Sequence, residues 1–126
     1  MKKVLSTLII SSLIWLIYSN EKLTTSYYNL KSDKIKNNFK ILQISDVHDS
    51  NKSKNIIKKA KKEKPDIIVI TGDLIDRQYA AMYSFVNELT DIAPVYYVSG
   101  NHETVKPHYK KVLNELEDAG AVVLNQ

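Results

Sequence analysis

Three short clusters of polar residues in this sequence could carry out chemistry together. In chain order they are Asp46-Val47-His48, Gly72-Asp73-Leu74-Ile75-Asp76 and Gly100-Asn101-His102-Glu103. Asp46 and Asp73 are 27 positions apart, and Asp73 and Asn101 are 28 positions apart. Two carboxylates, an imidazole and an amide oxygen form a ligand set that suits Mn, Fe or Zn. The spacing and the residue types therefore predict a metal site to which all three clusters contribute.

A site of this composition has a specific chemical use. A carboxylate can bridge two cations held about 3.5–4 Å apart, which is the arrangement that acts on phosphate esters. Gly72 and Gly100 would let the backbone turn sharply and approach a ligand where a side chain would collide.

Each of these residues also has an ordinary structural explanation when it is considered alone. An aspartate at a strand end is usually a turn residue or a helix N-cap, and Asp76 could simply cap the helix that follows it. His108 stands outside the three clusters, and we expect it to be structural. The metal hypothesis depends on the three clusters occurring in order and at a common spacing.

The elements that must position these clusters are strands of a parallel sheet. Runs rich in β-branched and aromatic residues predict strands at Phe39–Ser45, Ile67–Thr71, Val95–Val98 and Ala121–Leu124. Each cluster follows one of the first three strands. Because the carboxyl ends of parallel strands meet at one edge of a sheet, and open α/β proteins bind ligands there, we expect the clusters to converge.

Helices are predicted between the strands. Ser53–Lys64 is expected to be helical up to Pro65, and the following helices have apolar stripes at helical spacing. The stripes are Met82, Phe85, Val86 and Leu89 in the second helix and Tyr109, Val112, Leu113 and Leu116 in the third, which stops at Gly120. Alternation of strands and helices with short connections predicts an α/β fold built from right-handed βαβ units.

The stretches LQISDVH, PDIIVITGDLID and VYYVSGNHE resemble the first three motifs of the calcineurin-like metallophosphoesterase superfamily, in particular its bacterial membrane-anchored branch. The resemblance covers residues 39–126 and only the N-terminal half of the family's domain. It implies the first half of a four-layer α/β/β/α sandwich. It also implies a metal-dependent hydrolase that cleaves phosphate mono- or diesters with two divalent or trivalent metal ions, Mn, Fe or Zn.

The same resemblance implies a role for each matching residue. Asp46 and His48 would bind the first metal, Asp73 would bridge both, and Asn101 would bind the second. His102 and Glu103 would be the catalytic pair, with His102 facing the scissile phosphate and Glu103 orienting it. Asp76 would lie outside the ligands in a supporting position.

The sequence departs from the family pattern in one respect. Family members supply three more histidines after the fourth strand, and none follows His108 here. We therefore expect a partial domain that lacks its C-terminal half. Two alternatives to an active phosphoesterase stay open. The chain could be an inactive fragment or one half of a split enzyme that needs a partner chain. It could also be a membrane-tethered phosphate-binding module, although no glycine-rich phosphate loop is present.

Composition excludes several other classes of site. The absence of cysteine rules out disulfides and zinc-thiolate sites. The net charge of +4 comes mostly from lysine, with seven lysines between Lys52 and Lys64. No aromatic residues alternate with these lysines as a base-stacking surface would require, so we expect a solvated helix face and no nucleic acid partner.

The N-terminal residues are predicted to be a membrane anchor. Lys2 and Lys3 precede an apolar run at Val4–Tyr18, and no A-x-A cleavage pattern follows. Residues 1–20 are therefore expected to be an uncleaved signal anchor rather than a signal peptide, with residues 21–38 as a linker. Leu23–Tyr28 could form an edge strand within that linker. Lysines before the run favour a folded domain on the extracytoplasmic side.

We expect the intact protein to sediment with membranes after mild lysis, because residues 4–18 would hold it in the bilayer. Fractionation followed by N-terminal sequencing checks this. Recovery in the soluble fraction would contradict it, and a mature N-terminus between Asn20 and Tyr28 would indicate a cleaved signal peptide.

Overall fold

The computed structural model describes residues 11–12, 23–48, 52–74, 79–105 and 107–124, with Tyr79, Ala80 and His102 described by backbone alone. The chain divides into two compact units, residues 1–31 and residues 32–126.

In the first unit, Ser11 and Ser12 are helical, and the rest of the predicted helix at Val4–Tyr18 lies outside the described residues. Within the described ranges, no helix combines the length and apolar character needed to cross a membrane. The edge strand expected at Leu23–Tyr28 does not form, and these residues are irregular. Their sequence has β propensity, but such propensity depends on packing against neighbours, and Tyr27 and Tyr28 are largely exposed.

The second unit is built on a four-stranded parallel sheet. Its strands are β1 (Ile41–Ile44), β2 (Ile67–Thr71), β3 (Val95–Val98) and β4 (Val122–Val123), in the spatial order β1-β2-β3-β4. The register places Ile44 beside Ile70 and Ile70 beside Tyr97. The predicted parallel sheet is confirmed, and the predicted strands β2 and β3 have the observed bounds.

Four helices connect these strands. They are α1 (Ser53–Glu63), α2 (Tyr79–Thr90), α3 (Asn101–Thr104) and α4 (Tyr109–Asp118). Helix α1 ends where Lys64 adopts a left-handed backbone with φ 50°, directly before Pro65. The sequence predicted α1, α2 and α4. It did not predict α3, because four residues are too few to show a helical period.

The helices cover one face of the sheet. Helix α1 contacts α2, and α2 contacts α4. Because consecutive strands are neighbours, crossovers of one hand place all their helices on the same side. Alternate strand residues on that side are buried, as Ile68, Ile70 and Tyr97 show, and they pack with the predicted stripe of α2. The described residues thus form one helical layer on one sheet.

The opposite face of the sheet carries the other alternate residues. Ile41, Val98 and Val122 are exposed, whereas Val69 and Tyr96 in the central strands are half-buried. This arrangement agrees with the α/β architecture expected for the first half of a layered sandwich. The four-layer arrangement itself remains an expectation from the resemblance.

Leu89→Ala should destabilise the fold by about 2–5 kcal/mol, because Leu89 is fully buried between α2 and the sheet and its loss leaves a cavity. Chemical denaturation followed by circular dichroism measures the change. Glu88→Ala, at the exposed neighbouring position in the same helix, should change the free energy of unfolding by no more than about 0.5 kcal/mol. Equal effects of the two variants would contradict the assigned core.

Candidate metal centre

The three polar clusters lie at one edge of the sheet. Asp46 and Asp73 each occupy the second position after a strand, and Asn101 opens helix α3 shortly after β3. Since the strands are parallel and adjacent, their carboxyl ends form a common rim, as the sequence predicted.

The backbone at this rim is unusual. Asp46, His48 and Asp73 have positive φ angles of 53°, 47° and 51°. Lys64, which ends α1, is the other non-glycine residue of this kind in the described part of the chain. Side chains other than glycine rarely adopt this conformation, although Asp, Asn and His do so more readily than most. Each such residue costs roughly 1–3 kcal/mol, and strain of this kind concentrates at functional sites.

The left-handed backbone brings three potential ligands together. One ligand atom from each of Asp46, His48 and Asp73 lies within 4.8 Å of the others. The Nε2 atom of His48 is 3.9 Å from Oδ1 of Asp46, and these side chains are 37% and 68% exposed. Two carboxylates at this separation repel each other, and a cation between them would remove that repulsion. The donor types and the accessible position fit a divalent metal ion.

Backbone hydrogen bonds join the first two loops of the rim. The N–H of Asp46 donates to the carbonyl of Gly72 at 3.4 Å, and the N–H of His48 donates to the carbonyl of Asp73 at 3.1 Å. These bonds continue the pairing of β1 and β2 beyond the strands. They fix the spacing between the first and second clusters.

The second and third loops approach each other through glycine. A Cβ atom on Gly72 would lie 2.6 Å from the Cα of Gly100, and one on Gly100 would lie 2.5 Å from the backbone nitrogen of Asp73. Any other residue at either position would therefore separate the loops. The two glycines thus allow the two loops to approach each other, whereas the approach to a ligand expected from the sequence stays a prediction.

Glu103 links the same two loops through hydrogen bonds. Its side chain is 1% exposed, and its Oε2 atom accepts hydrogen bonds from the N–H groups of Asp73 and Gly100, both at 3.0 Å. In the bond to Gly100, the side chain of the third helical residue accepts from the N–H of the residue that precedes α3, which is one half of a capping box; glycine has no side chain to form the other half. This bond is local, because Glu103 follows Gly100 by three residues, whereas the bond to Asp73 required knowledge of which strands are neighbours.

A group of hydroxyls that the sequence did not suggest lies near Glu103. Tyr97 is fully buried, and the hydroxyl of Ser99 is 2.6 Å from that of Tyr109. Burial, and to a smaller extent the nearby Glu103 carboxylate, raises the pKa of Tyr97 far above its usual value, so its hydroxyl stays neutral. Ser99 lies beside this hydroxyl, which nevertheless makes no well-formed hydrogen bond among the described residues.

The remaining predicted residues are described only in part. Asn101 is exposed and follows directly the glycine that lies against Asp73. The side chain of His102 and the whole of Asp76 lie outside the described residues. The predicted roles of these three residues therefore stay predictions. His108 is exposed and lies directly before α4, and it belongs to none of the three clusters.

Comparison with known proteins decides the family. The model of a protein family described as "Calcineurin-like phosphoesterase" matches residues 39–123, which include the sheet and all three clusters. The chain belongs to the calcineurin-like phosphoesterase family. It is also 30% identical, over 127 aligned positions, to an uncharacterised metallophosphoesterase of Campylobacter jejuni. That alignment covers 90% of this chain and 32% of the relative, so the chain spans about a third of the relative's length. No solved structure matches the chain significantly.

Membership in this family gives the grouped residues a context. Calcineurin-like phosphoesterases are hydrolases that use divalent metal ions, and Asp46, His48 and Asp73 form a group that could hold one. The resemblance drawn from the three motifs is confirmed at the level of the family.

Gly100→Ala should weaken Mn²⁺ binding by at least about tenfold, because the new Cβ would push the loop of α3 away from Asp73. The electron paramagnetic resonance signal of free Mn²⁺ measures the bound fraction. Gly100 has an ordinary φ of −92°, so the effect is one of space rather than of backbone conformation.

Gly120→Ala is the matched control for this substitution. Gly120 has a φ of +90°, but its Cβ would meet only Thr90 side-chain atoms, at 3.5 Å. It should cost about 1–2 kcal/mol of stability and leave the Mn²⁺ affinity unchanged. If Gly100→Ala binds Mn²⁺ as tightly as Gly120→Ala does, the close approach of the two loops does not shape the metal centre.

Proposed function

We propose that this chain provides catalytic machinery for the metal-dependent hydrolysis of phosphate mono- or diesters at a dinuclear site. The observation that carries the proposal is the grouping of Asp46, His48 and Asp73 within 4.8 Å, all three on left-handed backbone at the carboxyl edge of a parallel sheet. A strained backbone that gathers potential ligands is typical of a functional site rather than of a structural turn. Family membership supplies the reaction type.

Each residue of the rim has a proposed role. Asp46, His48, Asp73 and the amide oxygen of Asn101 would hold the two cations, with Asp46 and His48 on the first, Asn101 on the second and Asp73 shared between them. His102 would face the scissile phosphate and protonate the leaving oxygen. Asp76 supports this arrangement without binding a metal ion. The exposure of Asp46 and His48 supports these roles, because a phosphate ester must reach the site from solvent.

The cations would lower the pKa of the attacking water and neutralise the phosphoryl charge. Mn, Fe and Zn all accept this mixture of carboxylate, imidazole and amide ligands. The chain itself supplies the spacing of the ligands, since hydrogen bonds between adjacent loops fix where Asp46 and Asp73 stand.

Two cations require more donors than this group contains. Each transition metal takes four to six ligands, and the proposed set offers two carboxylates, one imidazole and one amide. The Campylobacter jejuni relative is much longer than the matched region. We therefore include in the proposal that further ligands come from a C-terminal half or a partner chain, which makes this chain one half of a complete site.

The predicted membrane anchor at residues 4–18 and the extracytoplasmic location of the folded unit are part of the same proposal. Both are supported by the sequence, in which Lys2 and Lys3 precede the apolar run. A tether of this kind would direct the activity toward substrates outside the cytoplasm.

With the C-terminal part of the Campylobacter jejuni relative added in trans, Asp73→Asn should abolish hydrolysis of p-nitrophenyl phosphate and bis(p-nitrophenyl) phosphate in Mn²⁺. Asparagine keeps the size of Asp73 and tolerates its left-handed backbone, so the variant removes charge with little change of shape. The loss should exceed the about 10–100-fold that follows removal of a group supporting a ligand. Asp91→Asn, an exposed aspartate before β3 at the opposite edge of the sheet, should leave the rate unchanged.

The same assay separates the three candidate functions. We expect the 126-residue chain alone to turn over slowly and to gain orders of magnitude when the C-terminal part of the Campylobacter jejuni relative is added in trans. Fast Mn²⁺-dependent turnover by the chain alone would show that additional ligands are unnecessary. No turnover in either condition, with tight binding of inorganic phosphate, would favour the phosphate-binding module.

A further inference from the structure

Glu103 is a buried acidic side chain next to an exposed group of potential ligands. It is 1% exposed, whereas the side chain of Asp46 is 68% exposed. A buried carboxylate is tolerated only when hydrogen bonds replace its lost hydration. Among the bonds that replace it are two from backbone N–H groups.

The two donors belong to different loops. Asp73 lies in the loop after β2, and Gly100 lies in the loop after β3. A single oxygen, Oε2, accepts both bonds at 3.0 Å. The Glu103 side chain therefore joins the two loops, and its bond to Asp73 spans 30 residues of sequence.

The bond to Asp73 completes the restraint of that residue's backbone. Its carbonyl accepts the N–H of His48 at 3.1 Å, while its own N–H donates to Glu103. With both of its peptide groups held, Asp73 keeps its φ of 51°, and its carboxylate projects toward the ligand atoms of Asp46 and His48.

We propose that Glu103 is a positioning residue that acts through Asp73, by clamping the loops after β2 and β3 so that the Asp73 carboxylate stands where a metal ion can be shared. The inference rests on the proposed function, since it assigns Glu103 a task at the same metal centre. It differs from the orientation of His102 expected from the family resemblance. The structure provides the two bonds to Asp73 and Gly100 directly.

A merely structural role for Glu103 would have different consequences. A residue that only stabilises the fold lowers stability everywhere and leaves the metal affinity of the folded protein unchanged. A clamp on Asp73 alters that affinity even at temperatures where the variant is fully folded. It also protects two particular amides from exchange with solvent, because local opening controls that exchange.

The experiment compares Glu103→Ala, Glu103→Gln and Leu116→Ala with the unaltered 126-residue chain. Leu116 is fully buried in α4 and belongs to neither loop, so its truncation destabilises the core and keeps both loop sequences intact. Mn²⁺ affinity is measured from the paramagnetic resonance of the free ion. Hydrogen exchange of the Asp73 and Gly100 amides is measured by NMR on the metal-free proteins.

We expect Glu103→Ala to weaken Mn²⁺ binding about 10–100-fold and to speed exchange at Asp73 and Gly100 more than at core amides. Glu103→Gln keeps an oxygen that can accept both bonds, so its losses should be smaller. Leu116→Ala should speed exchange at core amides and keep the Mn²⁺ affinity of the unaltered chain.

Several results would overturn the clamp. One is unchanged exchange at both amides in Glu103→Ala. If the alanine variant does not fold, Glu103→Gln decides instead, and unchanged exchange together with normal Mn²⁺ binding in that variant overturns the clamp. Another is an equal loss of Mn²⁺ affinity in Leu116→Ala. If the unaltered chain binds no Mn²⁺ even when the C-terminal part of the Campylobacter jejuni relative is added, the proposed function fails, and exchange at the two amides alone decides whether Glu103 holds the loops.

Discussion

At the carboxyl edge of the sheet, the backbone of Gly100 lies directly against the backbones of Gly72 and Asp73, and the candidate metal centre depends on that contact. The approach is possible because neither glycine carries a Cβ atom. It brings the N–H groups of Asp73 and Gly100 close enough to share one oxygen of Glu103. Without the contact, Glu103 could not accept from both of these N–H groups, and the buried carboxylate would lose part of the compensation for its lost hydration.

Packing beneath the sheet explains how the rim can hold strained residues. Left-handed backbone at Asp46, His48 and Asp73 opposes folding, and hydrogen bonds at the rim alone would scarcely offset it. The sheet beneath is well buried on its helical side, with Ile68, Ile70 and Tyr97 fully enclosed. Core packing of this kind can tolerate a destabilised site, which is the usual relation between the stability of a scaffold and the geometry of its ligands.

The sequence predicted those strands best whose runs of β-branched and aromatic residues have clear ends. Strands β2 and β3 were predicted with their observed bounds, because runs of β-branched and aromatic residues are bounded by glycine or proline. Strand β1 is shorter than the predicted Phe39–Ser45, since its pairing with β2 runs from Ile41 beside Ile67 to Ile44 beside Ile70. The irregular conformation of Leu23–Tyr28 shows the opposite case, in which β propensity falls on largely exposed residues.

The interactions within the rim were less accessible from sequence. Asp and His tolerate left-handed backbone without requiring it, so the residue types at Asp46 and His48 did not reveal their conformation. The bond between Glu103 and Asp73 crosses two strands, and its existence follows from their adjacency rather than from a local motif. Residue types and spacing thus predicted that Asp46, His48 and Asp73 would lie together, and topology determined what holds them in place.

The sequential strand order β1-β2-β3-β4 has a consequence for synthesis on the ribosome. Each strand pairs with the one that emerges next, so the sheet can grow in the direction of translation without waiting for a distant partner. Asp46 and His48 leave the exit tunnel first, Asp73 follows 27 residues after Asp46, and Glu103 follows 30 residues after Asp73. The nascent chain therefore presents its cation ligands before the carboxylate that immobilises them, and the final geometry of the site is set late, when the third loop closes over the second.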